Sequence, residues 1–318
     1  MKIAIYGRPV NLQQIQLAES LFNLLLQNGV EVIVHEDYLK FLCQHLPGFK
    51  SYPTFSNHEE LRTGVDFLFS VGGDGTLLDT VCLVKDAGIP LVGINAGRLG
   101  FLSSVSRENL EFAVESILKG HFSLDDHSLI RIDSNKPLFE GENIALNDFT
   151  IHKKETSSMI TIHTYLNGDY LNSYWADGLL ISTPTGSTGY SLSCGGPIIV
   201  PQSESFVITP IAPHNLNVRP IVVADKNVIS LEVEGRSQHF MATLDSRSVT
   251  IDSSYQLAIR KENYAIRLVR LNNENFLKTL RKKLNWGLDT RVISLIMSVF
   301  MIPFLMEKMA LSPFLNIY

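Results

Sequence analysis

The chain has 318 residues, of which 45% are hydrophobic and 19% are charged, and its formal net charge is −5. This length predicts about two domains, at roughly 150 residues each. The composition is that of a packed globular protein and excludes a disordered chain. The acidic charge argues against a nucleic-acid partner, because binding a phosphate backbone requires a dense positive surface. A small ligand with one or two phosphates remains compatible with it.

The cysteines and the N-terminus indicate the compartment. Cys43, Cys82 and Cys194 are far apart and form no C-x-x-C pair, so the sequence predicts neither a zinc site nor a disulfide framework. The first ten residues, MKIAIYGRPV, contain an apolar run too short for a signal peptide and are typical of a first strand. We therefore expect a cytoplasmic protein.

The first third of the chain alternates strand-like and helix-like segments. Residues 3–6 form a short β-type run closed by Gly7, and helical spacing of apolar residues from Leu12 to Leu26 ends near Gly29. This alternation predicts a parallel sheet covered by helices. Further strands are expected at 30–34, 66–71 and 90–94, and further helices at 76–86 and 108–118.

From about Phe122 the helical periodicity almost disappears. Strand-like segments follow one another, and Asn167-Gly168 between two of them predicts a type I′ hairpin turn, which requires positive φ at both positions. The second half is therefore predicted to be all-β, of sandwich type. Its strands are expected at 128–132, 145–152, 160–166, 170–174, 179–182, 221–223, 228–233 and 249–251.

The last fifty residues divide into a basic amphipathic helix, 274–284, and an apolar tail from Val292 to Met306. The tail has about fifteen apolar residues, fewer than the roughly 20 that span a bilayer. A membrane anchor is thus disfavoured against an extra helix on the body or a poorly packed extension. The predicted domains are an α/β domain at 1–121, an all-β domain at 122–268, a C-terminal helix returning to the first domain at 269–290, and a tail of unknown role at 291–318.

One motif, Gly72-Gly73-Asp74-Gly75-Thr76, lies where a predicted strand ends and a helix begins. Ligands bind at this edge of a parallel sheet, and the glycines and the helix N-terminus suit a phosphate. Asp74 can serve there as a base for a hydroxyl nucleophile, or it can simply cap the helix. No lysine follows, which excludes a Walker A loop, and no G-x-G-x-x-G follows the first strand, which disfavours a dehydrogenase.

Two further signatures lie in the second half. Asn147-Asp148 falls in a predicted strand. Residues 183–190, TPTGSTGY, are rich in hydroxyls and glycine, follow Asp177-Gly178 and precede Ser193. Such a loop offers hydroxyl and amide donors to a ribose or a phosphate, and its tyrosine offers a face to a base. The alternative is an ordinary polar turn.

Together these motifs resemble those of the NAD kinase family. The family's GGDGT matches residues 72–76, its Asn-Glu/Asp pair matches Asn147-Asp148, and its TPTGSTAY loop matches residues 183–190 with Gly189 in place of alanine. Residues 95–102 and 282–286 are similar to two further family segments, so the resemblance covers about residues 1–290. It implies a Rossmann-like α/β domain, of the kind found in phosphofructokinases and diacylglycerol kinases, followed by an all-β sandwich-type domain.

The resemblance also implies a reaction. ATP, or polyphosphate in some members, would phosphorylate the 2′-hydroxyl of the adenosine ribose of NAD to give NADP, with a divalent metal, usually Mg²⁺, and with no metal ligand assigned to the chain. Asp74 would take the hydroxyl proton, and residues 72–76 would also face the donor phosphates.

Other residues are implied to hold NAD. Leu99 and Phe101 would line the adenine region, and Asn147 and Asp148 would bind the ribose hydroxyls. Asp177, Thr188, Tyr190 and Ser193 would hold the nicotinamide-ribose half, and Ala212 would contact NAD through its backbone. The full implied nucleotide-binding set is Gly72, Gly73, Asp74, Gly75, Thr76, Leu99, Phe101, Asn147, Asp148, Asp177, Thr185, Thr188, Gly189, Tyr190, Ser191, Leu192, Ser193 and Ala212.

Besides Gly189, the chain departs from the family pattern at two further places. Trp175 stands where many members have arginine, and Asp245-Ser246-Arg247 stands where relatives often have a glycine-glutamine turn. Two alternative functions share part of the pattern: a lipid kinase, which would share GGDGT, and a non-catalytic NAD-binding sensor, which would not need Asp74. The resemblance further implies a homodimer or homotetramer with small nucleotides as partners. The acidic charge argues against a nucleic-acid partner, and the short apolar tail disfavours a membrane.

Overall fold

The computed structural model describes residues 1–8, 12–95, 97, 100–154, 158–272 and 275–286. The chain forms two compact units, Met1–Asn273 and Glu274–Tyr318. The tail predicted at 291–318 lies outside the described residues. The first unit contains both sheets and every site motif.

The first part of this unit is the predicted parallel sheet, which the structure confirms. Its strands lie in the order β5-β4-β1-β2-β3, all parallel, and β6 adds to β5. Helical segments connect the strands because apolar residues recur at helical spacing between them. The strands are β1 (Lys2–Gly7), β2 (Glu31–His35), β3 (Thr54–Phe55), β4 (Phe67–Val71), β5 (Leu91–Asn95) and β6 (Val105–Ser106), and the helices are α1 (Leu12–Gln27), α2 (Glu36–His45), α3 (His58–Leu61), α4 (Asp74–Val84) and α5 (Leu110–Leu118).

The remaining strands build the all-β part, as predicted. Six of them extend the first sheet to twelve strands, and six form a separate antiparallel sheet in the order β14-β13-β12-β9-β16-β17. They are β7 (Phe122–Ser134), β8 (Ile144–Ala145), β9 (Asp148–Lys153), β10 (Ile160–Leu166), β11 (Asp169–Ala176), β12 (Gly178–Ser182), β13 (Ser205–Ile211), β14 (Ile221–Ala224), β15 (Ile229–Gly235), β16 (Phe240–Leu244), β17 (Arg247–Ile251) and β18 (Gln256–Leu271), with a short helix α6 (Tyr190–Ser193) after β12.

The two sheets share one hydrophobic core. Ile162 and Leu231 of the larger sheet pack in the same cluster as Phe149, Ile181 and Phe206 of the smaller one, and all five are buried. The alternation of apolar side chains along each strand places one face of each sheet in this core. The fold class predicted from the sequence, an α/β part followed by a β-sandwich, is therefore confirmed.

Strand β18 joins the two parts of the larger sheet. It pairs antiparallel with β7 and β15, and at Leu268 it pairs parallel with Leu91 of β5. The strand runs through residue 268, where the sequence predicts the end of the all-β domain. One sheet thus continues from the parallel strands into the sandwich without a break.

Two local predictions have different outcomes. The hairpin turn is confirmed: β10 and β11 pair antiparallel, with φ of 53° at Asn167 and 89° at Gly168. The single strand predicted at 145–152 is instead two strands, β8 and β9, separated at residues 146–147. The interruption falls on the Asn147-Asp148 motif.

The second unit is described for one helix, α7 (Phe276–Leu284), and the turn after it. Asn275 caps this helix by accepting a hydrogen bond from the Lys278 amide at 2.8 Å. Its last turn carries Arg281, Lys282 and Lys283, whose positive charges interact favourably with the negative end of the helix dipole. Within the described ranges, we find no helix that is both long and apolar enough to cross a membrane.

Candidate active site

The GGDGT segment forms the turn between β4 and α4. The Gly72 amide donates to the Ile94 carbonyl at 2.8 Å, which ties the end of β4 to β5. A side chain at Gly72 would overlap the side chain of Thr76, so the turn requires glycine. Gly73 is the N-cap, and α4 begins at Asp74, two residues before the predicted start.

Asp74 joins the segments that follow two neighbouring strands. Its Oδ2 accepts a hydrogen bond from the Phe101 amide at 2.8 Å, and its Oδ1 accepts from the Leu102 and Ser103 amides at 3.2 and 2.9 Å. The helix cap is Gly73 and makes no side-chain bond, so the capping alternative for Asp74 does not apply. The carboxylate is instead fixed at the carboxyl edge of the parallel sheet, where ligands bind.

Gly100 is needed for this contact. A Cβ atom at Gly100 would overlap the carboxylate of Asp74. We therefore expect Gly100→Ala to displace Asp74 and to lower turnover by about 10- to 100-fold, since misplacement of a reacting group by about 1 Å costs that much. Steady-state kinetics of the variant would measure the loss. Gly97→Ala is the control, because the nearest atom to a Cβ there, Asn95 Oδ1, is 3.7 Å away; equal rates for both variants and wild type would contradict the prediction.

A second carboxylate, Asp245, shapes the Asn147-Asp148 segment. It accepts hydrogen bonds from the amides of Leu146, Asn147 and Asp148 at 2.9, 2.8 and 3.2 Å. Asp245 lies in the turn between β16 and β17 with a φ of 51°. These bonds replace strand pairing at 146–147 and hold the Asn147-Asp148 motif in its bend. Sequence analysis noted this turn only as a departure from the family pattern.

Arg247 supports the same segment from the other side. Its guanidinium donates to the carbonyls of Glu142 and Ile144. Arg247 thus donates hydrogen bonds to backbone carbonyls before and within β8, and Asp245 accepts them from backbone amides after β8. The departure at 245–247 therefore supplies contacts to residues 142–148.

Asp148 is buried, with 8% of its surface exposed. Burial, and then the nearby charge of Asp245, raises its pKa to about 7, while a hydrogen bond from the Thr150 hydroxyl at 3.2 Å acts in the opposite direction. Burial also raises the pKa of Asp245, against three amide hydrogen bonds that favour its ionised form. Asp148 is therefore protonated in a large fraction of molecules at neutral pH and can donate a hydrogen bond.

The loop after β12 is fastened to the same segment. The Thr183 hydroxyl donates to the Leu146 carbonyl at 2.6 Å, and the Thr183 amide donates to the Asn147 carbonyl at 2.9 Å. A side chain at Gly186 would overlap the Asn147 backbone. The Asn147-Asp148 motif and the TPTGST loop, which are far apart in sequence, thus form one packed unit.

The far end of the loop brings Tyr190 to a further group of predicted residues. The Tyr190 ring stacks on His152, with centroids 5.7 Å apart. Next to His152, Lys153 forms an ion pair with Asp177 at 2.5 Å. Asp177 donates its amide to Ile211, and the following residue, Ala212, has a φ of 44°, which is uncommon outside glycine. The other predicted residues lie in α6 or at its start. The Ser191 hydroxyl bonds to the Thr209 hydroxyl at 3.0 Å, Leu192 is partly buried, and Gly189 and Ser193 are exposed.

Trp175, the residue in place of the family's arginine, lies at this end. Its ring contacts His214, with centroids 4.3 Å apart, and its carbonyl accepts the His214 amide at 2.9 Å. The indole is 46% exposed and presents an aromatic surface rather than a charge. Sequence analysis noted Trp175 but had no signal that it would contact His214.

The parts of the site are brought together by packing. Leu77 of α4, Leu102 of the segment that binds Asp74, and Leu146 share one buried cluster, which connects the elements that carry Asp74 and Asn147. Of the predicted site residues, Leu99 lies outside the described residues. Thr185 is described and buried, and its hydroxyl faces His127 rather than solvent. The sequence did not indicate the contacts that Asp245, Lys153 and His127 make, since each contact is with a partner distant along the chain.

The chemistry of the site is compatible with a magnesium ion that is bound together with a nucleotide. The described residues contain no group of three or more His, Cys, Asp or Glu side chains that could hold a metal ion. Mg²⁺ commonly keeps several waters and binds through one or two carboxylates together with substrate phosphates. Asp74 at the sheet edge is compatible with that mode.

Comparison with known proteins agrees with this architecture. Residues 3–122 match the family model of the ATP-NAD kinase N-terminal domain, and residues 146–271 match that of its C-terminal domain. An NAD kinase of Cytophaga hutchinsonii is 49% identical over 294 residues, which are 92% of this chain and 100% of the relative. One of Bacteroides fragilis is 43% identical over 293 residues, with the same coverage.

Solved structures extend the agreement to the fold. An Archaeoglobus fulgidus NAD kinase in complex with ATP superposes with a TM-score of 0.70 at 26% identity, covering 90% of this chain and 99% of that one. Yeast NADH kinase complexed with NADH gives a TM-score of 0.80 at 22% identity, covering 91% and 89%. With both halves matched in order and a relative 49% identical along its whole length, the chain belongs to the NAD kinase family.

Proposed function

We propose that the chain phosphorylates the 2′-hydroxyl of the adenosine ribose of NAD with ATP, giving NADP and ADP. The hydroxyl oxygen bonds to the γ-phosphorus, the bond from that phosphorus to the β,γ-bridging oxygen breaks, and the hydroxyl proton passes to Asp74. The observation that carries the proposal is the carboxylate of Asp74, held by three amides at the carboxyl edge of the parallel sheet. Such transfer depends mainly on positioning and on charge stabilisation.

The hydrogen bonds of Asp74 leave one acceptor position. A carboxylate has about four lone-pair sites. Among the described residues, Oδ1 accepts from two amides and Oδ2 from one, so a site on Oδ2 remains for a substrate hydroxyl. The amides also fix the carboxylate before the substrate binds, which reduces the ordering needed in the transition state.

The contacts proposed for NAD fall on three groups of residues, which lie around Asp74, Asn147 and Asp177. Phe101, beside Asp74, lines the adenine region together with Leu99. Asn147 and a protonated Asp148 bind the ribose hydroxyls. The group around Asp177 receives the nicotinamide-ribose half, and it comprises Asp177, Thr188, Tyr190, Ser193 and Ala212.

The donor is proposed to be Mg-ATP, bound at residues 72–76. The amides at the start of α4 and the glycine turn suit phosphate oxygens. No lysine directly follows this turn, so Mg²⁺ on the donor would supply much of the charge neutralisation. The ATP complex of the Archaeoglobus relative supports ATP as a donor. The same assay with polyphosphate in place of ATP tests whether polyphosphate is also a donor.

The deciding experiment measures NADP formed by the purified chain from NAD and Mg-ATP, read with an NADP-specific dehydrogenase. We expect formation that requires both ATP and the metal. NAD binding by calorimetry without turnover would support a sensor instead. Neither binding nor turnover would direct attention to lipid substrates.

We further propose a cytoplasmic homo-oligomer. The edge strand β14 exposes Ile221 and Val222, and the nearby Leu216 is 86% exposed, so this edge offers apolar surface and unpaired backbone to a second copy. Sedimentation of the full chain measures its oligomeric state. We expect an oligomer for wild type and a smaller species for Val222→Lys. A monomer in both would contradict the proposal.

The raised pKa of Asp148 should make the free energy of unfolding depend on pH. Its carboxyl group ionises near 3.8 in the unfolded chain and near 7 in the folded one. The folded state therefore binds more protons between these values, and its stability falls as pH rises from about 4 to about 7, by up to about 4 kcal/mol.

Asp148→Asn removes this ionisation. Chemical unfolding should show the variant equal to wild type near pH 4 and more stable than wild type at pH 8. Glu111→Gln, which changes an exposed carboxylate on α5, should leave the wild-type profile intact. A profile of Asp148→Asn parallel to that of wild type would contradict the assignment.

A further inference from the structure

His127 is a buried histidine with no part in the mechanism above. It lies on β7 of the larger sheet, and 5% of its surface is exposed. Its Nδ1 lies 2.7 Å from the Oγ1 of Thr185, in the loop that follows β12 of the smaller sheet. The imidazole therefore links the larger sheet directly to the TPTGST loop.

Thr185 occupies a central position in that loop. It is the N-cap of the short 3-10 helix Gly186–Thr188, and its carbonyl accepts the Thr188 hydroxyl at 3.2 Å. The next residue, Gly186, packs on the Asn147 backbone so closely that a side chain would overlap it. A shift of Thr185 would thus move both Thr188 and the surface that abuts Asn147.

The surroundings of His127 keep it uncharged. Burial, and then the charge of Arg270, lowers its pKa to about 4. Arg270 itself is paired with Asp125, two residues before His127 on β7. At neutral pH the imidazole therefore holds Thr185 as a neutral group, through a short hydrogen bond in a water-poor environment.

We propose that His127 is a positioning residue of the kinase site, which acts through the Thr185 hydroxyl to hold the TPTGST loop in the geometry that binds NAD. The proposal rests on the proposed function and names a residue that contacts neither substrate. The loop carries residues assigned to NAD rather than to the donor phosphates. Loss of the bond should therefore affect NAD more than ATP.

The test is a double-mutant cycle with His127→Phe and Thr185→Val, measured as KM for NAD, KM for ATP and kcat. We expect each single variant to raise the KM for NAD about tenfold, the effect of losing one buried hydrogen bond. The KM for ATP should change less than about twofold. The double variant should be no worse than either single variant, because both remove the same bond.

Two further variants separate positioning from folding. His127→Asn places an amide near the position of Nδ1 and should restore most of the affinity for NAD. His58→Phe is the matched control: His58 is also a mostly buried histidine, and it bonds to the Leu83 carbonyl at 3.0 Å, away from the loop. It should lower thermal stability without changing either KM.

Several outcomes would overturn the proposal. These are an unchanged KM for NAD in His127→Phe, equal increases for NAD and ATP, or additive effects in the double variant. If His127→Phe does not fold, Thr185→Val and His127→Asn carry the same comparison. A wild-type chain that makes no NADP would refute the proposed function instead, and that control is run first.

Discussion

Replacing Asp74 by asparagine should lower turnover by about 100- to 10,000-fold, the usual contribution of a positioned general base. Asparagine cannot accept the hydroxyl proton. It also exchanges one carboxylate oxygen for a donor, which would face the Phe101 amide in place of Oδ2. NAD should still bind, because most of the contacts proposed for it lie on the Asn147-Asp148 motif, on the TPTGST loop and around Asp177. Calorimetry with NAD and steady-state kinetics measure the two quantities on one preparation.

A carboxylate on the same helix provides the control. Asp79 of α4 accepts a hydrogen bond from the Tyr6 hydroxyl at 3.0 Å and pairs with Arg8, away from the 100–103 segment. Asp79→Asn should lose stability while keeping turnover within about threefold of wild type. Turnover of Asp74→Asn close to that of Asp79→Asn would remove Asp74 as the base.

Replacing Asp245 by alanine should have the second large effect, on both stability and NAD binding. Three backbone amides, of Leu146, Asn147 and Asp148, lose their acceptor. Since each unsatisfied buried donor costs about 1–3 kcal/mol, we expect a loss of at least about 3 kcal/mol in the free energy of unfolding. The KM for NAD should rise at least about tenfold, because the Asn147 bend relaxes.

The graded variant Asp245→Asn distinguishes this cause from a general effect of mutation. Its carbonyl oxygen can keep part of the hydrogen bonding, so its stability should lie between wild type and Asp245→Ala. Asp252→Ala is the matched control, since Asp252 also accepts a backbone amide in a turn, from Ser254 at 2.8 Å, but touches no site segment. If the KM for NAD in Asp245→Ala equals that of wild type, the turn at Asp245 does not shape the NAD site and the prediction is wrong.

Local signals in the sequence predicted much of the fold. The strand at 160–166 matches β10 in both bounds, and the Asn167-Gly168 turn has the expected positive φ values. Both depend on neighbouring residues only, as do the glycine turn at 72–73 and the helix that follows it. Such features are set by backbone sterics and short-range periodicity, which a sequence displays directly.

Features that depend on distant residues were not predicted. The carboxylate of Asp245 reaches amides about a hundred positions earlier, and this contact divides the strand predicted at 145–152. Strand β13 was not predicted. It contains Pro210, which has no backbone N–H to donate to a neighbouring strand and is unusual inside a strand. Strand β18 contains the polar run Lys261–Asn263, where the pairing register with β7 shifts, so its length is hidden by a bulge.

Strand β18 restricts how the protein can move. Its C-terminal part pairs with β5 and places Val269 and Leu271 in the core of the parallel sheet, while its N-terminal part lies in the sandwich between β15 and β7. A hinge rotation that opened one half from the other would have to break this continuous strand. We therefore expect substrate entry and product release to depend on movements of the connecting loops rather than on rotation of one sheet region against the other.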